Sequence, residues 1–267
     1  MKILSRPMIS FLTAFLCLSC ISILSGCGSS VASTPTPVPA TVVLVHGAWA
    51  DGSSWSGVIP LLQAKGLKVV AVQQPRSSVA DDVATVTRAI DAQSGKVILV
   101  GHSFGGVVIT QAGNDPKVAA LVYVSAFAPN DGQSVNDITA PFPAPSWQSE
   151  EIQDSAGYIS LSPAAISGAF APDVSSSEQA LLAVVQAPLA GSCFADKIAT
   201  AAWKTKPSWW IYGDQDQIIP AALQQAVSKA INATTTVIPG AGHVTLIAHP
   251  DAVAAVILDA ATKTGNL

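Results

Sequence analysis

The sequence predicts a doubly wound α/β fold with a mostly parallel sheet, and three observations support this prediction. Short β-branched apolar runs alternate with helical stretches from Thr41 onward, an order typical of parallel sheets. The runs are apolar on both faces, as in strands that helices cover on each side. With 267 residues, of which 49% are hydrophobic and 11% charged, the chain can build a sizeable core.

Each predicted element follows from its own composition. Runs of Val, Ile and Leu predict strands, and the stretches between them have the length and apolar spacing of helices. The predicted strands cover residues 41–46, 68–72, 96–101, 118–124, 208–212 and 234–238. The predicted helices cover residues 55–65, 79–92, 104–114, 220–231 and 250–262.

Residues 128–206 interrupt this alternation with many Pro, Ser and Ala residues and scattered aromatic ones. We interpret this segment as a cap inserted between two core strands, with a helix at residues 175–186. Residues 41–267 then form one domain that carries the cap. A small independent second domain is the alternative.

The amino-terminal segment has the features of an export signal. Lys2 and Arg6 precede an apolar run over residues 8–24, and small residues follow it. A membrane-spanning helix is the alternative, but the run is short for a span of about 20 residues. The sequence LSGC, which ends at Cys27, resembles the lipobox of bacterial lipoproteins.

This resemblance implies that residues 1–26 are removed as a signal peptide and that Cys27 receives a lipid. Residues 27–40 are small, polar and rich in Pro and Ser, so they would form an extended tether between the membrane and the folded domain. We expect an exported protein anchored to the bacterial cell envelope, at its periplasmic or outer-membrane face, or otherwise a secreted one.

The charged residues argue against a nucleic-acid partner, and the cysteines argue against a structural disulfide. Thirteen Lys and Arg residues against seventeen Asp and Glu give a net charge of −4 without any basic block, so nucleic acid is not an expected partner. After lipidation of Cys27 the mature part keeps Cys193 as a single thiol, so no structural disulfide is expected.

The segment GHSFG at residues 101–105 follows a predicted strand and precedes a predicted helix. This is the context of a nucleophile elbow, a strained turn that presents a serine above the sheet. Its glycines let strand and helix approach closely, and Gly106 eases the same packing. We therefore predict that Ser103 is a nucleophile, with a Gly-rich turn of no function as the alternative.

A nucleophilic serine needs a general base, and the chain contains four histidines. His243 lies in the loop PGAGH directly after the last predicted strand, where the order serine, acid, histidine places the base. We predict His243 as this base. His46 and His102 are expected to shape the site by hydrogen bonding, and His249 to precede a helix.

The acid that orients the histidine is expected after the strand WWIY. The next segment, GDQDQIIP, contains Asp214 and Asp216. Asp216, in the pattern D-x-x-I-P, is the preferred acid. Asp214 is the alternative acid. Whichever aspartate is not the acid is expected to be a turn residue that caps the bend.

The negative charge that develops on an attacked carbonyl oxygen needs two backbone N–H donors. We predict Phe104, directly after the serine, and Ala48, in the loop after the first strand of the body. Gly47 permits a close approach of the backbone in that loop. Trp49 either lines the pocket or packs in the core.

The segments VLVHGAWADGSSW, VILVGHSFGG and VYVSAFAP, together with the Asp and His loops, resemble the α/β-hydrolase superfamily. The resemblance is closest to the branch that holds small bacterial esterases, plant methylesterases and hydroxynitrile lyases, and it covers residues 41 to about 262. It implies the α/β-hydrolase fold, a triad of Ser103, Asp216 and His243, and an oxyanion hole formed by the two N–H groups predicted above.

Two positions favour ester hydrolysis over lyase chemistry. The related lyases carry Thr where this chain has Gly47, and Lys where it has Val244. We expect a serine carboxylic-ester hydrolase that acts through an acyl-enzyme on small or medium-chain esters, without metal or cofactor. The alternatives are a hydroxynitrile-lyase-like enzyme, a cofactor-free perhydrolase and a non-catalytic binding lipoprotein.

Five aromatic residues of the cap have no predicted role. They could line an apolar pocket or pack inside the cap. These residues are Phe142, Trp147, Tyr158, Phe170 and Phe194.

Overall fold

The computed structural model describes residues 39–267. The predicted signal peptide, Cys27 and most of the predicted tether lie outside the described residues. Within residues 39–267, no helix combines the length and the apolar character that crossing a membrane requires.

Strands and helices alternate along the core of the chain. The strands are β1 (Thr41–Val45), β2 (Lys68–Val72), β3 (Val97–His102), β4 (Val118–Val124), β5 (Glu151–Gln153), β6 (Tyr158–Leu161), β7 (Leu189–Ala190), β8 (Ser208–Gly213) and β9 (Thr234–Ile238). The helices are α1 (Val58–Gln63), α2 (Val79–Asp91), α3 (Gly105–Ala112), α4 (Val135–Thr139), α5 (Pro163–Ala165), α6 (Ser176–Val185), α7 (Ala221–Ala230), α8 (Thr245–Ala248) and α9 (Pro250–Lys263).

Six strands form one parallel sheet in the order β2-β1-β3-β4-β8-β9. Every residue of β1, β3 and β8 is buried, whereas the edge strands β2 and β9 are largely accessible. All six predicted core strands are present, and the predicted doubly wound α/β fold is confirmed. The apolar runs are continuous because the central strands are covered on both faces.

The sheet reverses its winding direction between β1 and β3. The chain steps from β1 outward to β2 and then crosses back to β3 and β4. Right-handed crossovers place α1 on one face of the sheet and α2 and α3 on the other. Accordingly, α1 packs with α9, and α2 packs with α3. The carboxyl ends of β1 and β3 therefore flank the crevice in which such sheets bind ligands.

The segment between β4 and β8 is a cap of short elements. The helix predicted at residues 175–186 is observed as α6, but the antiparallel sheet β5-β6-β7 was not predicted. Its strands have two to four residues, too few for an alternating pattern to be visible in the sequence. Buried cap residues such as Leu161 and Phe170 belong to the same hydrophobic cluster as the core of the sheet.

Candidate active site

Ser103 occupies a tight turn between β3 and α3. Its φ of 53° is left-handed, a strained conformation for a residue with a side chain. A Cβ atom on Gly101 would lie 2.6 Å from the carbonyl oxygen of Gly105, and one on Gly105 would lie 2.6 Å from that of Val45. Both positions therefore require glycine, and the close packing of strand and helix presents Ser103 at the carboxyl edge of the sheet.

Neighbouring backbone holds this turn in place. The N–H group of Ser103 donates to the carbonyl oxygen of Val124 at 3.1 Å. The carbonyl oxygen of Ser103 accepts from the N–H groups of Gly106 at 3.0 Å and Phe127 at 3.2 Å. These bonds hold Ser103 against the end of β4. Their favourable energy offsets the cost of the strained backbone conformation of Ser103.

A buried hydrogen bond joins His243 to one of the two candidate acids. The Nδ1 atom of His243 lies 2.8 Å from Oδ2 of Asp216, and neither side chain is accessible to solvent. Asp214 is exposed, and its Oδ1 atom accepts from the N–H group of Gly240 at 2.7 Å. The structure thus brings Asp216, and not Asp214, to the predicted base.

Three further donors hold the carboxylate of Asp216. Its Oδ1 atom accepts from the N–H groups of Ile218 and Ile219, each at 2.9 Å. Its Oδ2 atom accepts from Nε2 of Gln224 at 2.8 Å, in addition to the bond from His243. A buried carboxylate needs such donors, because an unpaired charge would be very costly to bury.

Gln224 is a residue of the site that sequence reasoning missed. It is fully buried and lies in the first turn of α7, the helix that directly follows the D-x-x-I-P segment. Its Nε2 atom also donates to the carbonyl oxygen of Ile219 at 3.0 Å, and its Oε1 atom accepts from the indole of Trp210 at 3.3 Å. These bonds fix the orientation of the amide. A glutamine at the start of a helix carries no motif, so the sequence offered little to single it out.

The loop that carries His243 is held from two sides. The carbonyl oxygen of Ala241 accepts from the N–H group of Gln215 at 3.0 Å, and a side chain on Gly213 would overlap that same carbonyl group. From the cap, Oδ2 of Asp173 accepts from the N–H group of Gly242 at 2.7 Å. The position of the histidine therefore depends on both the acid loop and the cap.

The Nε2 atom of His243 is buried and has no hydrogen-bond partner within residues 39–267. It forms no hydrogen bond with Ser103, although His102, the neighbour of Ser103, lies against His243. Their ring centroids are 4.8 Å apart, and Nε2 of His102 lies 3.2 Å from the carbonyl oxygen of His243. Bonds between nucleophile and base are often long without substrate. The Nε2 atom is thus free to accept a proton.

Burial disfavours the protonated form of the other two buried histidines. Burial, and then the proximity of His243, holds the pKa of His102 well below its usual value. Burial lowers the pKa of His46 to about 4. His46 and His102 both make hydrogen bonds with residues of the site. His249 directly precedes α9.

The loop after β1 lies directly against Ser103. A Cβ atom on Gly47 would lie only 2.7 Å from Cβ of Ser103. The N–H groups of Ala48 and Phe104 donate no hydrogen bond within residues 39–267, and both residues are buried. Buried backbone N–H groups are nearly always paired in folded proteins. One of these two N–H groups directly follows Ser103 and the other belongs to the loop that contacts it, so both are available as donors to a negatively charged oxygen.

Aromatic residues of the cap cover this site. Trp49 donates from its indole to the carbonyl oxygen of Ile159 at 2.9 Å, and its ring makes an edge contact with Trp147 at 5.4 Å between centroids. The ring centroids of Phe170 and His243 are 5.5 Å apart, and those of Phe194 and Phe104 are 6.1 Å apart. Under this roof Ser103 is 3% exposed.

An apolar cavity of about 340 Å³ lies between the cap and the end of the sheet. Ser103 and His243 do not line this cavity, but three of its lining residues contact the site. Phe127 donates to the carbonyl oxygen of Ser103, Phe194 packs against the ring of Phe104, and Ile218 donates to Asp216. Glu151 is the one charged residue among the described residues that line it, and burial raises the pKa of this carboxyl group. The volume is that of a small-ligand site.

Comparison with known proteins supports the relationship inferred from the motifs. The family model described as "Alpha/beta hydrolase family" matches residues 42–256. The chain belongs to the alpha/beta hydrolase family.

Relatives of this alpha/beta hydrolase include esterases. Salicylic acid-binding protein 2 of Nicotiana tabacum is 26% identical over 253 residues, which cover 83% of this chain and 96% of that protein. Carbendazim hydrolyzing esterase of Nocardioides sp. is 36% identical over 110 residues, which cover 36% of this chain and 46%, less than half, of that protein. The crystal structure of polyneuridine aldehyde esterase has a TM-score of 0.73 at 21% identity, covers 83% of this chain and 98% of that chain, and shows the shared fold.

The contacts of the two aspartates predict a clear difference in activity. Asp216→Asn is expected to lower kcat of the alpha/beta hydrolase by about 10³- to 10⁴-fold, because the amide cannot hold His243 in the required tautomer. The measurement is kcat on a chromogenic ester. Asp214→Asn is the matched control, since its Oδ1 atom still accepts from Gly240, and it should stay within about twofold of wild type. Equal losses in both variants would contradict the assignment of the acid.

Proposed function

We propose that this protein is a serine carboxylesterase that hydrolyses uncharged esters of small or medium-length acids. The observation that carries the proposal is the buried hydrogen bond of 2.8 Å between Asp216 and His243, beside the strained turn of Ser103. Relationship to esterases supports the reaction class. Among the described residues that line the neighbouring apolar cavity none is a cation that could pair with a carboxylate, and this supports uncharged substrates.

In the proposed acylation step, Ser103 Oγ forms a bond to the ester carbonyl carbon while its proton passes to Nε2 of His243. Asp216 stabilises the imidazolium that results. The carbonyl oxygen becomes an oxyanion and accepts from the N–H groups of Ala48 and Phe104. Collapse of this intermediate breaks the bond to the alcohol, which leaves with the proton from His243 and leaves the acyl group on Ser103.

In the proposed deacylation step, water adds to the acyl carbonyl carbon while His243 takes one of its protons. The same two N–H groups stabilise the second oxyanion. The bond to Ser103 Oγ then breaks, the proton returns to that oxygen, and the carboxylic acid leaves. Each step uses the same base and the same donors.

The surroundings of Ser103 favour this reaction over cyanohydrin cleavage. The two side chains of the related lyases would have to occupy the positions of Gly47 and Val244. A Cβ atom on Gly47 would lie 2.7 Å from Cβ of Ser103 and 3.1 Å from Nδ1 of His102, so a threonine does not fit the present backbone. Val244 is 1% exposed and provides no cation for a leaving cyanide.

The proposed cellular location rests on the sequence outside the described residues. We infer that residues 1–26 direct export and that a lipid on Cys27 anchors the protein to the cell envelope through the Pro- and Ser-rich segment that follows. Mass spectrometry of the mature protein from bacterial cells should show an amino-terminal peptide that begins at Cys27 and carries a diacylglycerol, and Cys27→Ala should lack both the lipid and the cleavage. A mature protein without a lipid on Cys27 would contradict the lipid anchor.

The proposed activity predicts hydrolysis of p-nitrophenyl esters, measured as released nitrophenolate over a series from acetate to palmitate. Ser103→Ala should lower kcat/KM by at least about 10⁴-fold, because no other group forms the acyl-enzyme. Ser149→Ala, at an exposed serine of the cap, is the matched control and should retain wild-type activity. A folded wild type without activity on the whole series would contradict the proposal.

A further inference from the structure

His46 is a fully buried residue at the end of β1 whose function the proposed reaction leaves open. It precedes Gly47 and Ala48, the loop that lies against Ser103. Its ring connects this loop to the backbone that follows β2, at Gln74.

The hydrogen bonds of the ring determine its tautomer. The N–H group of Gln74 donates to Nε2 of His46 at 3.1 Å, so Nε2 carries no proton. The proton therefore resides on Nδ1, which donates to the carbonyl oxygen of Gly47 at 2.8 Å. Because burial lowers the pKa of His46 to about 4, the ring keeps this neutral form at neutral pH.

The carbonyl group of Gly47 and the N–H group of Ala48 belong to the same peptide unit. A trans peptide is planar, and its C=O and N–H bonds point in opposite directions. A bond that fixes the carbonyl group therefore also fixes the direction of the N–H group. At Gly47 this constraint matters, because a residue without a side chain does little to restrict rotation of the adjoining peptide.

We propose that His46 is a positioning residue that orients the Ala48 N–H group as an oxyanion donor by holding the carbonyl group on the opposite side of the same peptide. The N–H group of Gln74 holds the ring in the tautomer that this task needs. The proposal rests on the proposed function, since the donor matters only if an oxyanion forms. A donor oriented in advance lowers the barrier because nothing has to reorganise during the reaction.

Two substitutions of similar size separate this role from space filling. In His46→Asn the side-chain amide lies near the position of Nδ1 and can still donate to Gly47. In His46→Gln the amide lies near the position of Nε2 and cannot reach that carbonyl group. Both substitutions replace the ring with a smaller polar side chain, so a residue that only fills space would respond similarly to both.

The test measures kcat and KM on p-nitrophenyl butyrate for the full-length wild type, the two His46 variants and Ser103→Ala, with thermal unfolding of each. We expect His46→Asn to retain kcat within about tenfold, the equivalent of one hydrogen bond. We expect His46→Gln to lose about 10²-fold in kcat with little change in KM, because a misdirected donor affects the transition state and not substrate binding. Equal losses of kcat in the two variants, a wild-type kcat in His46→Gln, or a loss confined to KM would overturn the role.

A second measurement needs no variant and applies even if His46→Gln fails to fold. The ¹⁵N chemical shifts of the wild-type ring should show the proton on Nδ1, and a proton on Nε2 would overturn the proposal.

Failure of the proposed function has a different signature. A wild type that hydrolyses no ester overturns both proposals, whereas an active wild type that depends on Ser103 and tolerates His46→Gln overturns the role of His46 alone.

Discussion

The carboxylate of Asp216 is the group on which the rest of the site depends. A buried negative charge is tolerated only with several donors, and this one receives four: two from its own loop, one from Gln224 and one from His243. Each donor comes from a segment that must be placed correctly. Because all of these donors must reach one carboxylate, their hydrogen bonds fix the relative positions of the turn after β8, the start of α7 and the ring of His243.

A steric constraint complements this polar one. Four segments converge at the carboxyl edge of the sheet: the loop after β1, the turn after β3, the end of β8 and the loop after β9. A glycine lies at each of the contacts between these segments: Gly47, Gly105 and Gly213. A Cβ atom on any of the three would lie closer to the neighbouring segment than van der Waals contact allows. The hydrogen bonds can form only because these positions lack side chains. Aromatic residues of the cap then close the site from water, which strengthens the remaining polar interactions.

The sequence predicts the core better than the cap, for a physical reason. Buried parallel strands and the GHSFG turn leave local patterns, so the six core strands and the fold were predictable. Asp216 and Asp214 both follow β8 at suitable places, and only the packing of the loops shows which carboxylate reaches His243. Gln224 and the sheet of the cap depend on contacts between segments distant in the chain, which no local pattern encodes.

The most direct test of the account is whether Ser103 is the activated nucleophile. An alkyl fluorophosphonate forms a bond from phosphorus to an activated serine oxygen with loss of fluoride, and peptide mass spectrometry locates the modification. Stoichiometric modification of Ser103 is expected in the wild type, together with a large loss of labelling rate in His243→Ala. Modification at another serine, none at all, or an unchanged rate in that variant would contradict it.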